Sequence, residues 1–313
     1  MKKIIIGIAL LFLFVVGGFV EKKEWIQNLI YYKDSYAIDY NVTMKRDLLC
    51  LMMAYPEYIT TIDSDSKDRV YIVMKSGKRI LYDDKIKKNF EDKLNNPDLQ
   101  DMMEQVYPLS DITNLMPKDF DPGRIRVYSL LKEVYGGTRE EIQLNLTNVK
   151  CGYRYYPFNR KNNASDALKS AMKELVALIE EKDIYSFVFP MSGTFNYRFI
   201  AGTNRLSPHS FGTAIDLRRD KKDYWKWASR EEGQKRLDVY PREIVQAFEK
   251  NNFIWGGKWS HFDILHFEYR PELILKARYF SDRPGFGESW YDGLPSDDDI
   301  IKDYIDLINR NLK

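Results

Sequence analysis

Three histidines and two cysteines are all that this chain of 313 residues contains of either type. Two cysteines, Cys50 and Cys151, can form at most one disulfide, and they do not have the spacing of a metal-binding cysteine pair. They leave two readings open: one bridge formed outside the cytoplasm, or two buried free thiols. Charge of one sign is also missing. The 48 basic and 46 acidic residues leave a formal net charge of +2, so no nucleic-acid partner is expected. Nor is the chain short of apolar residues: 44% hydrophobic and 14% aromatic content excludes a disordered polymer and suffices for one large domain or two small ones.

Residues 1–20 differ from the rest. Lys2 and Lys3 precede an uncharged run from Ile4 to Val20, the form of an export signal, and its 17 residues lie at the short end of what spans a bilayer. No A-x-A-like cleavage site stands out, although Gly17 and Gly18 offer small residues. A secreted form and a form anchored in the membrane by residues 4–20 are both expected, each with its body outside the cytoplasm. No cysteine follows the run, so a lipoprotein anchor is not indicated.

The histidines are concentrated. His209 lies in Ser207-Pro-His-Ser-Phe-Gly212-Thr-Ala214-Ile-Asp216, and His261 and His266 lie in His261-Phe-Asp263-Ile-Leu-His266-Phe-Glu268. Imidazole is the commonest protein ligand for zinc, and a catalytic zinc site takes three ligands from His, Asp and Glu while leaving a fourth position for water. Thr213 to Asp216 reads as a strand with Ala214 and Asp216 on one face. A small Ala214 leaves room for an ion there, and Gly212 lets the backbone fold His209 back toward it. Asp263 and His266 stand three apart, which a straight strand would point to opposite faces, so a bulge or a strand-to-loop transition is expected between them. His261 would share a face with Asp263, as a rival ligand or as a hydrogen-bonding group for substrate. Glu268 is expected to orient His266 or a neighbouring ligand.

The two stretches resemble the zinc D-alanyl-D-alanine carboxypeptidase family, which includes the vancomycin-resistance D,D-peptidases and the L-alanyl-D-glutamate endopeptidases of phage lysins. The shared pattern is S-x-H-x-x-G-x-A-x-D, then an acidic residue, two spacers and His-aromatic-Glu, and every position of it is filled here. The resemblance covers roughly residues 120 to 285. It implies zinc held by His209, Asp216 and His266, Asp263 as the catalytic base, and Arg198 as the oxyanion-stabilising arginine. It also implies a Hedgehog/D,D-peptidase-like fold. The base is Asp where the D,D-dipeptidases have Glu, which is similar to the endopeptidase branch and leaves the bond cleaved open. Ser207 is expected to hydrogen-bond substrate or to cap a helix or turn.

The remaining chain supplies the frame. Residues 21–116 read as an accessory region. Leu48 to Met53 forms a short buried helix there, and Val70–Met74 and Arg79–Tyr82 form a β-hairpin around Gly77. A polar helix is expected from about Lys85 to Val106. Residues 117–290 would be the zinc peptidase domain, with helices over Ile125–Val134, Ala164–Glu181 and Pro241–Asn251 and a strand over Leu144–Val149. Tryptophans of Asn252-Phe-Ile-Trp255-Gly-Gly-Lys-Trp259 are candidates for a cleft wall. Residues 291–313 carry a C-terminal helix with Ile300, Ile301, Tyr304, Ile305 and Ile308 on its apolar face. The fold class expected is α+β, a small antiparallel sheet with flanking helices. The expected function is hydrolysis of peptidoglycan stem peptides, as a D-alanyl-D-alanine carboxypeptidase first and an L-alanyl-D-glutamate endopeptidase second. A non-catalytic wall-binding module that keeps zinc for structure is the alternative of another class.

Overall fold

The computed structural model of the chain describes residues 40–281, 289–295 and 297–312. The expected signal or anchor over residues 1–20 lies outside them. Among the described residues no helix is long and apolar enough to cross a membrane.

The architecture is α+β, with small antiparallel sheets and flanking helices. Helix α1 (Tyr40–Ala54) comes first and contains the predicted Leu48–Met53 segment, which is buried throughout except for a partly exposed Met53. The predicted hairpin is present as β2 (Val70–Met74) and β3 (Arg79–Leu81), and Gly77 at its turn has φ +87°. A strand not foreseen, β1 (Ile59–Ser64), pairs with β2 and completes a three-stranded sheet. The single polar helix expected over Lys85–Val106 is instead two short ones, α2 (Phe90–Asn95) and α3 (Leu99–Met103). Pro97 cannot donate a backbone hydrogen bond, and Asp98 behind it caps α3 by accepting from the Asp101 N–H, so the break is written locally.

Next come α4 (Tyr128–Tyr135), which begins three residues later than expected, and α5 (Arg139–Leu144), whose Thr138 and Glu141 form a capping box. Strands β4 (Leu146–Cys151) and β5 (Arg154–Asn159) make a second hairpin. Helix α6 spans Ala164–Glu181 as predicted and buries Leu168, Ala171, Met172 and Leu175. The apolar run after it forms a single turn, α7 (Tyr185–Val188).

The sheet that matters for function has three strands in the order β6 (Ala214–Asp216), β8 (His266–Tyr269), β7 (Phe253–Trp255). β8 is central and buried along its whole length. Helix α8 (Arg230–Val239) precedes α9 (Arg242–Lys250), which buries the predicted Ile244, Val245 and Phe248. Phe248 stacks on Phe267 of β8 with ring centroids 4.1 Å apart, and this contact seats α9 on the sheet.

Residues 44–116 are tied to this layer by buried polar contacts. Lys276 of α10 (Pro271–Tyr279) pairs with Asp47 at 2.6 Å, Tyr55 donates to Glu272 at 2.8 Å, and Lys258 pairs with Glu249 at 2.6 Å while donating to the Pro108 carbonyl. Removing one partner of such a pair strands a buried charge and costs about 3–5 kcal/mol. The C-terminal helix, α11 (Asp299–Asn311), packs on β1 and buries Ile301 and Ile308. Ile300, expected on the apolar face, is exposed. Both cysteines are buried free thiols, which settles that alternative, and burial pushes the Cys151 thiol up to about 12.

Candidate metal and catalytic site

Two of the three candidate ligands are cross-strand neighbours. In the antiparallel register of β6 and β8, Asp216 stands directly opposite His266, so both side chains leave the same face of the sheet. One step along, Ala214 faces Glu268. The room that this small residue leaves is therefore beside Glu268.

His209 reaches the pair from a turn of 3₁₀ helix, Pro208–Phe211, that ends at Gly212 in a left-handed conformation with φ +67° and ψ 32°. A Cβ at Gly212 would also meet Leu146 Cδ2 at 2.7 Å. Asn159, fully buried at the end of β5, holds this turn by donating its side chain to the Phe211 carbonyl at 2.9 Å and its backbone N–H to the Gly212 carbonyl at 2.8 Å.

The donor atoms close into a triangle. His209 Nε2 lies 3.3 Å from His266 Nδ1 and 3.3 Å from Asp216 Oδ1, and His266 Nδ1 lies 2.9 Å from Asp216 Oδ1. Bonds of about 2.0–2.1 Å to a tetrahedral zinc set ligand atoms about 3.3 Å apart. The donor set, two imidazole nitrogens and one carboxylate oxygen, thus fits zinc in both chemistry and spacing.

Each imidazole has a polar group behind it. His209 Nδ1 donates to the Thr194 carbonyl at 2.5 Å, which leaves the Nε2 lone pair to face the triangle. On His266 the roles are reversed: Nδ1 belongs to the triangle and Nε2 lies 4.0 Å from Glu268 Oε2. Glu268 is in turn gripped by the buried Arg126, through Nε at 2.8 Å and through Nη2.

The electrostatics follow from this arrangement. Burial pushes the Asp216 carboxyl up, but the His209 and His266 imidazoles outweigh it and hold the group well below the usual carboxylate range. Burial opposes a charge on His266, yet Asp216 and Glu268 beside it push its pKa up to about 10. Carboxylates therefore favour positive charge at this point, and metal binding here is coupled to proton release. Burial pushes Asp263 up to about 7, against the pull of His266 and with the help of Asp216 and Asp223.

Asp263 lines the same cleft, of about 130 Å³, as the three candidate ligands. The bend expected between Asp263 and His266 is a turn closed by the His266 N–H on the Asp263 carbonyl at 3.0 Å, after which β8 begins. Arg198, Ser207 and His261 line the cleft as well. Among the described residues the Arg198 guanidinium has no hydrogen-bond or ion-pair partner, whereas Arg124 and Arg126 in the same wall are tied to Asp121 and Glu268. Ser207 occupies the cap position of the 3₁₀ turn but makes no side-chain capping bond.

His261 is not brought into the triangle. Its Nδ1 lies 2.6 Å from Asp121 Oδ2, and its ring stacks on Phe90 of α2 at 5.7 Å. Trp259 lines the cleft with its ring 5.6 Å from that of His266, while Trp255 is fully buried and donates to the Ile264 carbonyl. Sequence reasoning missed Arg126, Asp121, Asn159 and Thr194. Glu268 in an apolar run signals a buried partner cation, but 48 basic residues offer no means of choosing it. Thr194 acts through its carbonyl, which every residue type supplies.

Residues 201–269 match the family model of D-alanyl-D-alanine carboxypeptidase. The matched segment contains all three members of the triangle and Asp263, and Arg198 stands just before it. This is the family that the two motifs resemble, and the match supports a peptidase acting on cell-wall peptides. No curated protein and no solved structure matches the chain.

Proposed function

We propose that the protein is an extracytoplasmic zinc metallopeptidase that hydrolyses an amide of the peptidoglycan stem peptide, in a domain of Hedgehog/D,D-peptidase-like fold over residues 117–290. The observation that carries this reading is the triangle of His209, Asp216 and His266 with Asp263 in the same cleft. These three side chains would hold the ion, which when bound supplies a water of lowered pKa and a Lewis acid for the scissile carbonyl.

The chain's own residues do the rest. Asp263 accepts the proton of the attacking water at its carboxylate and passes it to the leaving amine. Arg198, whose guanidinium has no hydrogen-bond or ion-pair partner among the described residues, donates to the oxygen that gains negative charge, where one such donor contributes about 3 kcal/mol. The Thr194 carbonyl sets the tautomer of His209, and the Glu268–Arg126 pair places a carboxylate 4.0 Å behind His266 Nε2. His261, held by Asp121, and Ser207 line the cleft where the peptide would lie.

The bond assigned first is D-alanyl-D-alanine, by a carboxypeptidase reaction. One observation favours the second reading, an L-alanyl-D-glutamate endopeptidase: the residue in the base position is Asp263 rather than Glu. The location outside the cytoplasm, secreted or held by residues 4–20, is part of the same proposal. Digestion of purified peptidoglycan followed by mass analysis tests activity and bond together. Release of D-alanine supports the first reading and cleavage after L-alanine the second. Unit zinc with no released product would instead favour a non-catalytic wall-binding module.

A further inference from the structure

The catalytic cleft is small for its task, about 130 Å³ against the roughly 300–1,000 Å³ of ordinary ligand sites. One wall of it is a short ribbon. The Ser207 N–H bonds the Arg198 carbonyl at 3.0 Å, the Ile200 N–H bonds the Arg205 carbonyl at 2.8 Å, and Phe199 pairs with Leu206. Side chains alternate across such a ribbon. Arg198, Ile200 and Ser207 line the catalytic cleft, whereas Tyr197, Phe199 and Leu206 line a second groove on the other side, of about 700 Å³, which Arg205 also lines in departure from that alternation.

Glu91 and Asn95 of α2 also line that groove. The same short helix sends Phe90 against His261 in the catalytic cleft, so the accessory region borders both spaces. Two features of the groove call for an occupant. Phe199 is a large aromatic with 57% of its surface exposed. Among the described residues Arg205 has its Nε buried without a hydrogen-bond partner, and burial is the largest influence on its guanidinium, only partly answered by Tyr128 and Glu91. A buried unpaired donor costs about 1–3 kcal/mol, and a carboxylate is the group that meets a guanidinium best.

We infer that this groove is an extended subsite for the part of the wall peptide remote from the scissile bond, with Phe199 as its apolar platform and Arg205 as receptor for a peptide carboxylate. The inference rests on the peptidase reading above. It makes the enzyme one that prefers long, cross-linked wall fragments to short free peptides.

The test compares kcat/KM for cross-linked peptidoglycan fragments with that for a free stem pentapeptide. Arg205→Gln and Phe199→Ala are each expected to lower the ratio of the two about tenfold, and Phe199→Tyr to restore it. An unchanged ratio in both variants overturns the inference. Co-sedimentation of the intact protein with insoluble peptidoglycan separates this from the peptidase reading. Should wild-type protein hydrolyse neither substrate, the peptidase reading fails, and the subsite is still decided by whether Arg205→Gln weakens sedimentation with the wall or leaves it equal to wild type.

Discussion

Gly256 and Asp263 are packed so closely that a Cβ on the glycine would stand 2.5 Å from the Asp263 carbonyl oxygen and 3.1 Å from its Cβ. The Asp263 N–H also bonds the Gly256 carbonyl at 2.9 Å. The proposed base is thus held by a backbone contact that only glycine permits. Gly256→Ala is expected to push the Asp263 segment out of place, at about 1–3 kcal/mol of stability. Turnover should fall at least about tenfold while bound zinc stays at wild-type level, because a displacement of about an ångström is enough to cost that much. Zinc content and kcat measured on the same preparation check this, and an alanine variant with wild-type kcat refutes it.

Ligand and base should separate cleanly. His209→Ala removes one corner of the triangle and is expected to lose both metal and turnover, whereas Asp263→Asn keeps the metal and loses about 10²–10⁴-fold in rate. Treatment with a chelator should abolish turnover and lower Tm, since an ion that binds only the folded state stabilises it. Elemental analysis beside a turnover assay reads all three, and an active Asp263→Asn enzyme would show that the roles are misassigned.

The Arg198 guanidinium has no hydrogen-bond or ion-pair partner to leave behind among the described residues, so its truncation reports on substrate. Arg198→Ala is expected to lower kcat about a hundredfold with little change in Tm. A drop in Tm of several degrees with kcat intact would mark the guanidinium as structural. Steady-state kinetics and a thermal melt decide between these.

Glu268 gives the protein an acid limit. Arg126 and His266 hold its folded pKa below the ordinary value of 4.5 despite burial. A depressed carboxyl contributes stability that is complete above the unfolded pKa and lost as pH falls through the folded one. Urea midpoints of metal-free protein should therefore fall as pH drops below about 4.5. In Glu268→Gln that slope should flatten. The variant should also be about 3–5 kcal/mol less stable at pH 7, because Arg126 is left buried without its counter-charge. Parallel acid slopes in the two proteins would remove Glu268 from the account.

Much of the frame was legible because it is local. The periodicity of Ala164–Glu181 defines α6 to the residue, Gly77 marks its hairpin, and Pro97 with Asp98 explains in retrospect why one polar helix became two. Strand β1 was not legible, since its alternation is masked by threonines and an aspartate and its partner lies in the next strand. Of the candidate site, the concentration of the three histidines in two short stretches was legible in the chain, and the resemblance of those stretches to the zinc carboxypeptidase family singled out His209, Asp216, Asp263 and His266.

Residue order by itself determined that His209, His261 and His266 were the candidate imidazole ligands, because only three histidines exist and all fall in two short stretches that also hold acidic residues, and the family resemblance of those stretches added Asp216 and Asp263. Tertiary structure alone decided that His261 turns away to Asp121, that Arg126 backs Glu268, and that a second groove lies behind the Arg198 ribbon. Those relations join residues up to 142 positions apart. They depend on which surfaces the fold presses together, and no local preference of the backbone encodes that.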